Sequence, residues 1–185
     1  MFTYYDVDNA PEESKPLMEA SLKGFGMVPN LHKIFAEAPA TYEAYNTVFN
    51  LFMKQTTLSP IEQQVVFMTA NFENNCHYCV PGHTWMMYAA KMPDEVIEAL
   101  REGTAIPDAK LQVLHDFTKA LLDNRGHIGD DKLQTFLNAG YTKRQALEVL
   151  TGLASKLISN FTNALAHTEP DAAFQKYAWT HPSQR

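Results

Sequence analysis

Two cysteines and a histidine crowd into one run, Cys76-His77-Tyr78-Cys79-Val80-Pro81-Gly82-His83. Cys79 follows Cys76 by three residues, and His83 follows Cys79 by four. On a helix, residues three and four apart share a face. The spacing therefore predicts two sulfurs and one imidazole on the same side of a helix that opens at the cysteines. Unsatisfied N–H groups and the positive end of the helix dipole lie at such an opening, and both favour a thiolate. In C-x-x-C settings a thiol pKa falls from about 8.5 to about 7 or lower. A neighbouring histidine accepts the proton, or stabilises the thiolate once charged. Pro81 is tolerated only near a helix start, because deeper it would remove a backbone bond and kink the helix. It places Cys76 and Cys79 in the first turn.

A thiolate there attacks a peroxide oxygen and becomes a sulfenic acid. The second cysteine condenses with it to a disulfide, and a reductant restores the dithiol by exchange. Two other readings of the same residues stay open. The pair could be buried, inert thiols. With His83 it could also supply three zinc ligands, but a closed structural site needs a fourth, usually from a second tight pair, and none is visible. No metal and no cofactor are therefore expected. His77 reads as an exposed turn residue.

The elements that must position this run are helical. Apolar residues recur with helical period throughout, and strand-like alternation never persists. Helices are expected over about 11–23, 31–37 and 41–54, broken by Gly24, Gly26, Pro29 and Ala38-Pro39. Ser59-Pro60-Ile61-Glu62 is a capping box with proline at the first helical position. It opens a helix with an Ile61, Val65, Met68, Phe72 stripe, which Asn74-Asn75 interrupts just before Cys76. Further helices run from the cysteines to about Lys91, from Pro93 to Gly103, from Pro107 past Leu121, and around Leu133–Leu137. Thr142-Lys143-Arg144-Gln145 is a second capping box. Behind it, Leu147, Leu150, Ala154, Leu157, Phe161 and Leu165 predict a long buried helix. One more turn is expected around Phe174 and Tyr177. The run Trp85-Met86-Met87-Tyr88 is apolar on most sides and reads as core or subunit interface.

An echo links the two capped helices. Asn160, Asn163 and His167 follow Cys76, Cys79 and His83 at an offset of 84 residues. Duplication and coincidence account for it equally well. The 185 residues read as one domain, 1–185, with possible internal halves at about 24–103 and 107–175.

Composition excludes several classes. Lys+Arg total 15 against 21 Asp+Glu, giving a formal net charge of -6 and no basic block. Nucleic acid and anionic membrane surfaces are therefore not expected partners. The opening MFTYYDVDNAPEESK lacks a secretory signature, and no stretch approaches the roughly 20 apolar residues of a membrane helix. With both cysteines in one C-x-x-C, the expectation is a soluble, cytoplasmic protein.

The run Leu58-Ser59-Pro60-x-Glu62, about a dozen residues, then C-x-x-C-x-x-x-H, resembles the alkylhydroperoxidase D and carboxymuconolactone decarboxylase-like superfamily. Gly26-Met27-Val28-Pro29-Asn30-Leu31, with Ala36 and Pro39 behind it, resembles that superfamily's peroxidase-related branch, as does Asn160-Phe161-Thr162-Asn163 with His167-Thr168. The likeness spans roughly residues 24 to 175. It implies an all-α, AhpD-like helical bundle that assembles as a homo-oligomer (a trimer, or a dimer or hexamer). It implies a hydroperoxide substrate and a thiol reductant or redox-protein partner. It assigns Cys79 to attack on peroxide, Cys76 to closing the disulfide and His83 to the proton relay. The superfamily places a glutamate twelve residues before the first cysteine, where this chain has Gln64. An amide cannot take up a proton, but it can orient a water or the imidazole. Glu62 lies about 200° around the helix from Gln64; Glu73 and Glu148 are further carboxylates without a geometric claim. Three functions compete: a thiol peroxidase, a thiol–disulfide adaptor reductase, and a decarboxylase-like lyase, against which the cysteine pair argues.

Overall fold

A computed structural model describes residues 2–185, and among them there is no β-strand. Nine α-helices follow one another: α1 (Lys15–Phe25), α2 (Asn30–Phe35), α3 (Pro39–Gln55), α4 (Pro60–Glu73), α5 (Cys79–Ala89), α6 (Asp94–Glu102), α7 (Ala109–Asp123), α8 (Asp130–Asn138) and α9 (Lys143–Ala166). The chain is an all-α bundle, as the periodicity implies. Both expected capping boxes form. The Ser59 hydroxyl accepts from the Glu62 amide while Glu62 accepts from the Ser59 amide, and Thr142 and Gln145 repeat the pattern.

Helix α4 is the central element. Every residue from Glu62 to Asn71 is buried, and α5, α6, α7 and α9 all pack on it. Its apolar residues Val65, Val66, Phe67 and Met68 join Phe52, Ile97, Leu114 and Phe136 in the main core. Its polar residues are buried too, so they need partners. Gln63 Nε2 donates to the Phe52 carbonyl and the Thr56 hydroxyl, each at 3.1 Å. A second cluster, with Met18, Phe35, Tyr42 and Tyr45, encloses the two cysteines.

Helix α9 differs from expectation. Leu147, Leu157, Phe161 and Leu165 are 68%, 53%, 56% and 70% exposed, and Leu150 and Ala154 also face solvent. The buried face is instead Val149, Gly152, Ser155, Lys156, Ser159, Asn160 and Asn163. The polar stripe turns inward because Lys156, Asn160 and Asn163 find partners on α4 and α5, described below. Gly152 lets α9 approach closely, since a Cβ there would sit 2.8 Å from Phe52 and 2.9 Å from Val66 side-chain atoms.

The tail closes one side of the bundle. A 3₁₀ turn at Ala172–Tyr177 lays Phe174 beside Trp85 and Tyr177 on Tyr88. Trp85 and Tyr88 stay nearly half exposed, whereas Met87 is in the core. Trp179 Nε1 donates to the Arg101 carbonyl at 2.8 Å.

Candidate active site

The cysteines are set by the end of α4. Asn74 caps that helix, and Asn75 then takes a left-handed conformation, φ 49°, which asparagine tolerates well. The chain reverses, and the Cys76 amide returns to the Asn71 carbonyl at 2.9 Å. Helix α5 begins at Cys79, not at Cys76. This corrects the expectation that both cysteines share the first turn. Cys76 precedes the helix in a turn, while its carbonyl still accepts from the Val80 amide at 3.1 Å. Pro81 falls at the third helical position, where its missing N–H costs nothing.

Both thiols are free and buried. The Cys79 amide donates to Cys76 Sγ at 3.3 Å. Cys79 Sγ accepts from Asn160 Nδ2 at 3.1 Å and Asn163 Nδ2 at 3.2 Å, and Asn163 also leans toward Cys76 Sγ at 3.9 Å. The two echo residues thus converge on the second cysteine. Asn160 is itself fixed, donating to Asn71 Oδ1 at 2.9 Å and accepting from Asn74 at 3.0 Å.

The two sulfurs are electrostatically unequal. For Cys79, burial alone would raise the pKa. The Cys76 contact, the Lys156 charge and the two amides outweigh it, and the thiol falls below its ordinary value. For Cys76, burial and the neighbouring Cys79 both push the thiol up. The pair is therefore arranged as one thiolate and one thiol.

His83 does not bond to either sulfur, because both of its ring nitrogens are engaged elsewhere. Nδ1 lies 2.9 Å from Gln64 Oε1, and Nε2 lies 2.8 Å from Lys156 Nζ. Gln64 therefore meets His83, and His83 in turn meets Lys156. Burial and the Lys156 charge both hold His83 well below its usual pKa, so the ring is neutral at pH 7. The other carboxylates named from the sequence are committed elsewhere. Glu62 is paired with Lys110 at 3.2 Å, Glu73 with Lys119 at 2.6 Å, and Glu148 with Arg144 at 2.8 Å. His77 is exposed, its Nε2 3.0 Å from the Thr168 carbonyl.

Lys156 is the residue that sequence reasoning missed. It is 1% exposed, and its Nζ stands 4.9 Å from the centre of the Phe67 ring as well as against His83. Burial lowers its pKa while the two cysteines oppose that shift. Its one sequence signal is its place on the inward polar stripe of α9, beside Ser155, Ser159 and Asn160.

Cys79, His83 and Lys156 line a cleft that opens to solvent. Its walls include Phe25, Leu31, Tyr45, Phe49, Trp85 and Phe174. Tyr78 ties the cleft together: its hydroxyl donates to Asp171 of the tail and accepts from the Leu31 amide at 3.3 Å. Among the described residues, no group of three or more His, Cys, Asp and Glu is placed to hold a metal ion. No helix among them is long and apolar enough to cross a membrane.

Residues 39–115 match the carboxymuconolactone decarboxylase family. No curated protein sequence matches the chain. Similar solved structures include a peroxidase-related protein from Ralstonia eutropha described as an alkylhydroperoxidase AhpD core (18% identical, 94% of this chain and 93% of that one, TM-score 0.82). A peroxidase-related protein from a Silicibacter species is 22% identical, covers 93% of each chain and has a TM-score of 0.78. The debrominase Bmp8, solved with 2,3,4-tribromopyrrole, is 15% identical over 95% of this chain and 94% of its own, TM-score 0.78. These likenesses establish the fold.

Proposed function

We propose that this chain, whose residues 39–115 match the carboxymuconolactone decarboxylase family and whose fold is that of an AhpD-like helical bundle, is a thiol-dependent oxidoreductase that reduces organic hydroperoxides. The observation carrying this reading is the pair of amide N–H groups aimed at Cys79 Sγ, with Cys76 beside it and an aromatic cleft above. Cys79 attacks the terminal peroxide oxygen and becomes a sulfenic acid. Cys76 condenses with it, releasing water and closing the disulfide. A dithiol reductant then exchanges with that disulfide and restores both thiols. His83, locked by Gln64, positions the groups around Cys79.

The cleft favours small organic molecules over a protein disulfide. Both cysteines are 4% exposed, which gives a folded partner little approach to Cys79. The adaptor reading is therefore second to direct reduction of a peroxide. The aromatic walls also suit the reading offered by Bmp8, in which the same thiolate would take a halogen from a brominated ring. Peroxide consumption coupled to dithiothreitol, measured with cumene hydroperoxide, tests the proposal. Turnover that vanishes in Cys79→Ser supports it. Full activity in that variant overturns it, and bromide release from a brominated pyrrole without peroxide loss would favour the debrominase reading.

We further propose that the protein is a homo-oligomer joined through α9. Leu147, Leu150, Ala154, Leu157 and Phe161 recur in steps of three, four, three and four. That is the seam of two packed helices, and the matching helix is α9 of a second copy. Light scattering after size exclusion should show an oligomer that Leu157→Glu dissociates; a wild-type monomer at micromolar concentration would refute this.

A further inference from the structure

We propose that Lys156 carries the proton of this site. Its ammonium partners the Cys79 thiolate in the reduced protein, protonates the departing oxygen of the substrate, and remains neutral while the Cys76–Cys79 disulfide stands. The proposal rests on the peroxidase reading for its substrate step alone.

The argument begins with charge. Lys156 of α9 is 1% exposed, its hydrogen-bond partner is the neutral His83 ring at 2.8 Å, and none of the ion pairs of the described residues includes it. A buried ammonium without an anion costs several kcal/mol. The groups facing it from the surrounding helices are neutral Gln64 on α4, His83 on α5 with its ring held neutral, and the two cysteines. Tyr45 of α3 and His32 of α2 line the same cleft. Burial keeps the Tyr45 phenol protonated and the His32 ring uncharged. Cys79 lines the same cleft as Lys156, and the charges of the two cysteines oppose the effect of burial on the lysine. A thiolate at Cys79 is therefore the anion that would let this ammonium stay buried.

The tautomer of His83 follows. An ammonium at 2.8 Å donates to Nε2, so the ring proton sits on Nδ1 and donates to Gln64 Oε1. A glutamate at position 64 would offer His83 a second proton-sharing partner and compete with the thiolate for the positive charge. The amide does neither. Gln64 and Lys156 form one arrangement, in which the imidazole positions the ammonium and the lysine takes the place of the missing acid.

The step balances. Cys79–S⁻ attacks ROOH, the S–O bond forms, the O–O bond breaks, and RO⁻ takes a proton from Lys156–NH₃⁺ to leave as ROH. Cys76–SH then attacks the sulfenic acid. The S–S bond forms, and hydroxide leaves with the Cys76 proton as water. Lys156 is now a neutral amine facing a neutral disulfide. Reduction by a dithiol returns two protons, one to Cys76 and one to Lys156.

Two measurements test this. The first is the ¹⁵N shift of Lys156 Nζ in the wild-type protein, reduced and then oxidised with diamide, at pH 8. The expected result is an ammonium signal when reduced and an amine signal when oxidised. The same signal in both states overturns the proposal, whether or not any peroxide is turned over. The second is the pH profile of Cys79 alkylation by iodoacetamide. K156M should move the midpoint up by at least one pH unit and slow alkylation tenfold or more at pH 7. K156R keeps the charge but cannot release its proton. It should retain the low midpoint while losing at least tenfold in peroxide turnover. An unmoved midpoint in K156M, or full turnover in K156R, refutes the assignment. Absent wild-type turnover with a redox-linked Nζ signal would instead sink the peroxidase reading alone.

Discussion

Replacing Asn163 with leucine isolates what holds the Cys79 thiolate. Leucine keeps the shape of the asparagine side chain and removes its N–H. The lost contact is the 3.2 Å bond to Cys79 Sγ, together with the weaker 3.9 Å approach to Cys76. Asn163 Oδ1 is buried without a partner, so the substitution strands no donor elsewhere. Asn160 would be a poorer target, because it also holds Asn71 and Asn74. A hydrogen bond to a charged acceptor contributes about 1.5–3 kcal/mol. At 1.36 kcal/mol per pKa unit, its loss raises the Cys79 thiol by about 1–2 units. Iodoacetamide reacts with the thiolate alone, so the rate against pH reads this directly, with mass spectrometry assigning the site. The midpoint in Asn163→Leu should lie about 1–2 pH units above wild type. Below the wild-type midpoint, alkylation should slow by about tenfold to a hundredfold. A variant with native circular dichroism and an unmoved midpoint would show that these amides do not set the reactivity of Cys79.

Three further outcomes follow from the same coordinates. His32 is buried with its pKa held down from 6.5 to about 4 by desolvation. Its folded pKa is depressed, so its contribution is complete above pH 6.5 and is lost as the pH falls toward 4, about 3 kcal/mol in all. Urea unfolding should show that loss in wild type and a correspondingly flatter acid limb in His32→Gln; equal slopes would refute the assignment. Gly152→Ala should lower Tm despite better helix propensity. Its Cβ meets Phe52 and Val66 at 2.8–2.9 Å, and overpacking costs about 1–3 kcal/mol against about 1 kcal/mol gained. A net loss near 1 kcal/mol is about 2–4 °C, and a rise in Tm would mean the neighbours relax freely. Gln64→Glu puts a carboxylate 2.9 Å from His83 Nδ1 and should raise the ring's pKa above that of the wild type. Carbon-13 shifts of the imidazole followed to low pH read this, and a titration unmoved from wild type would count against it.

How much of this was legible beforehand depends on which physics each feature obeys. Both capping boxes, the helical fold and the break before Cys76 are local, and local chemistry in the sequence specifies them. The meeting of Gln64 with His83 was readable only through the resemblance, which implies a relay residue twelve positions before Cys76. Helix α9 was read inside out. Its leucine stripe obeys the rule that apolar faces turn inward, but a helix with two competing faces obeys whichever neighbour binds harder. Here Asn160, Asn163 and Lys156 have partners on α4 and α5 that leucine could not supply. The polar stripe is the inward face, and the apolar one is left exposed. The offset of 84 residues singles out Asn160 and Asn163 without deciding between duplication and coincidence. What it could not convey is that both of their amides bond Cys79. Lys156 had no such pointer. A lone lysine among serines reads as solvated, whereas in the fold it is 1% exposed and bonded to His83.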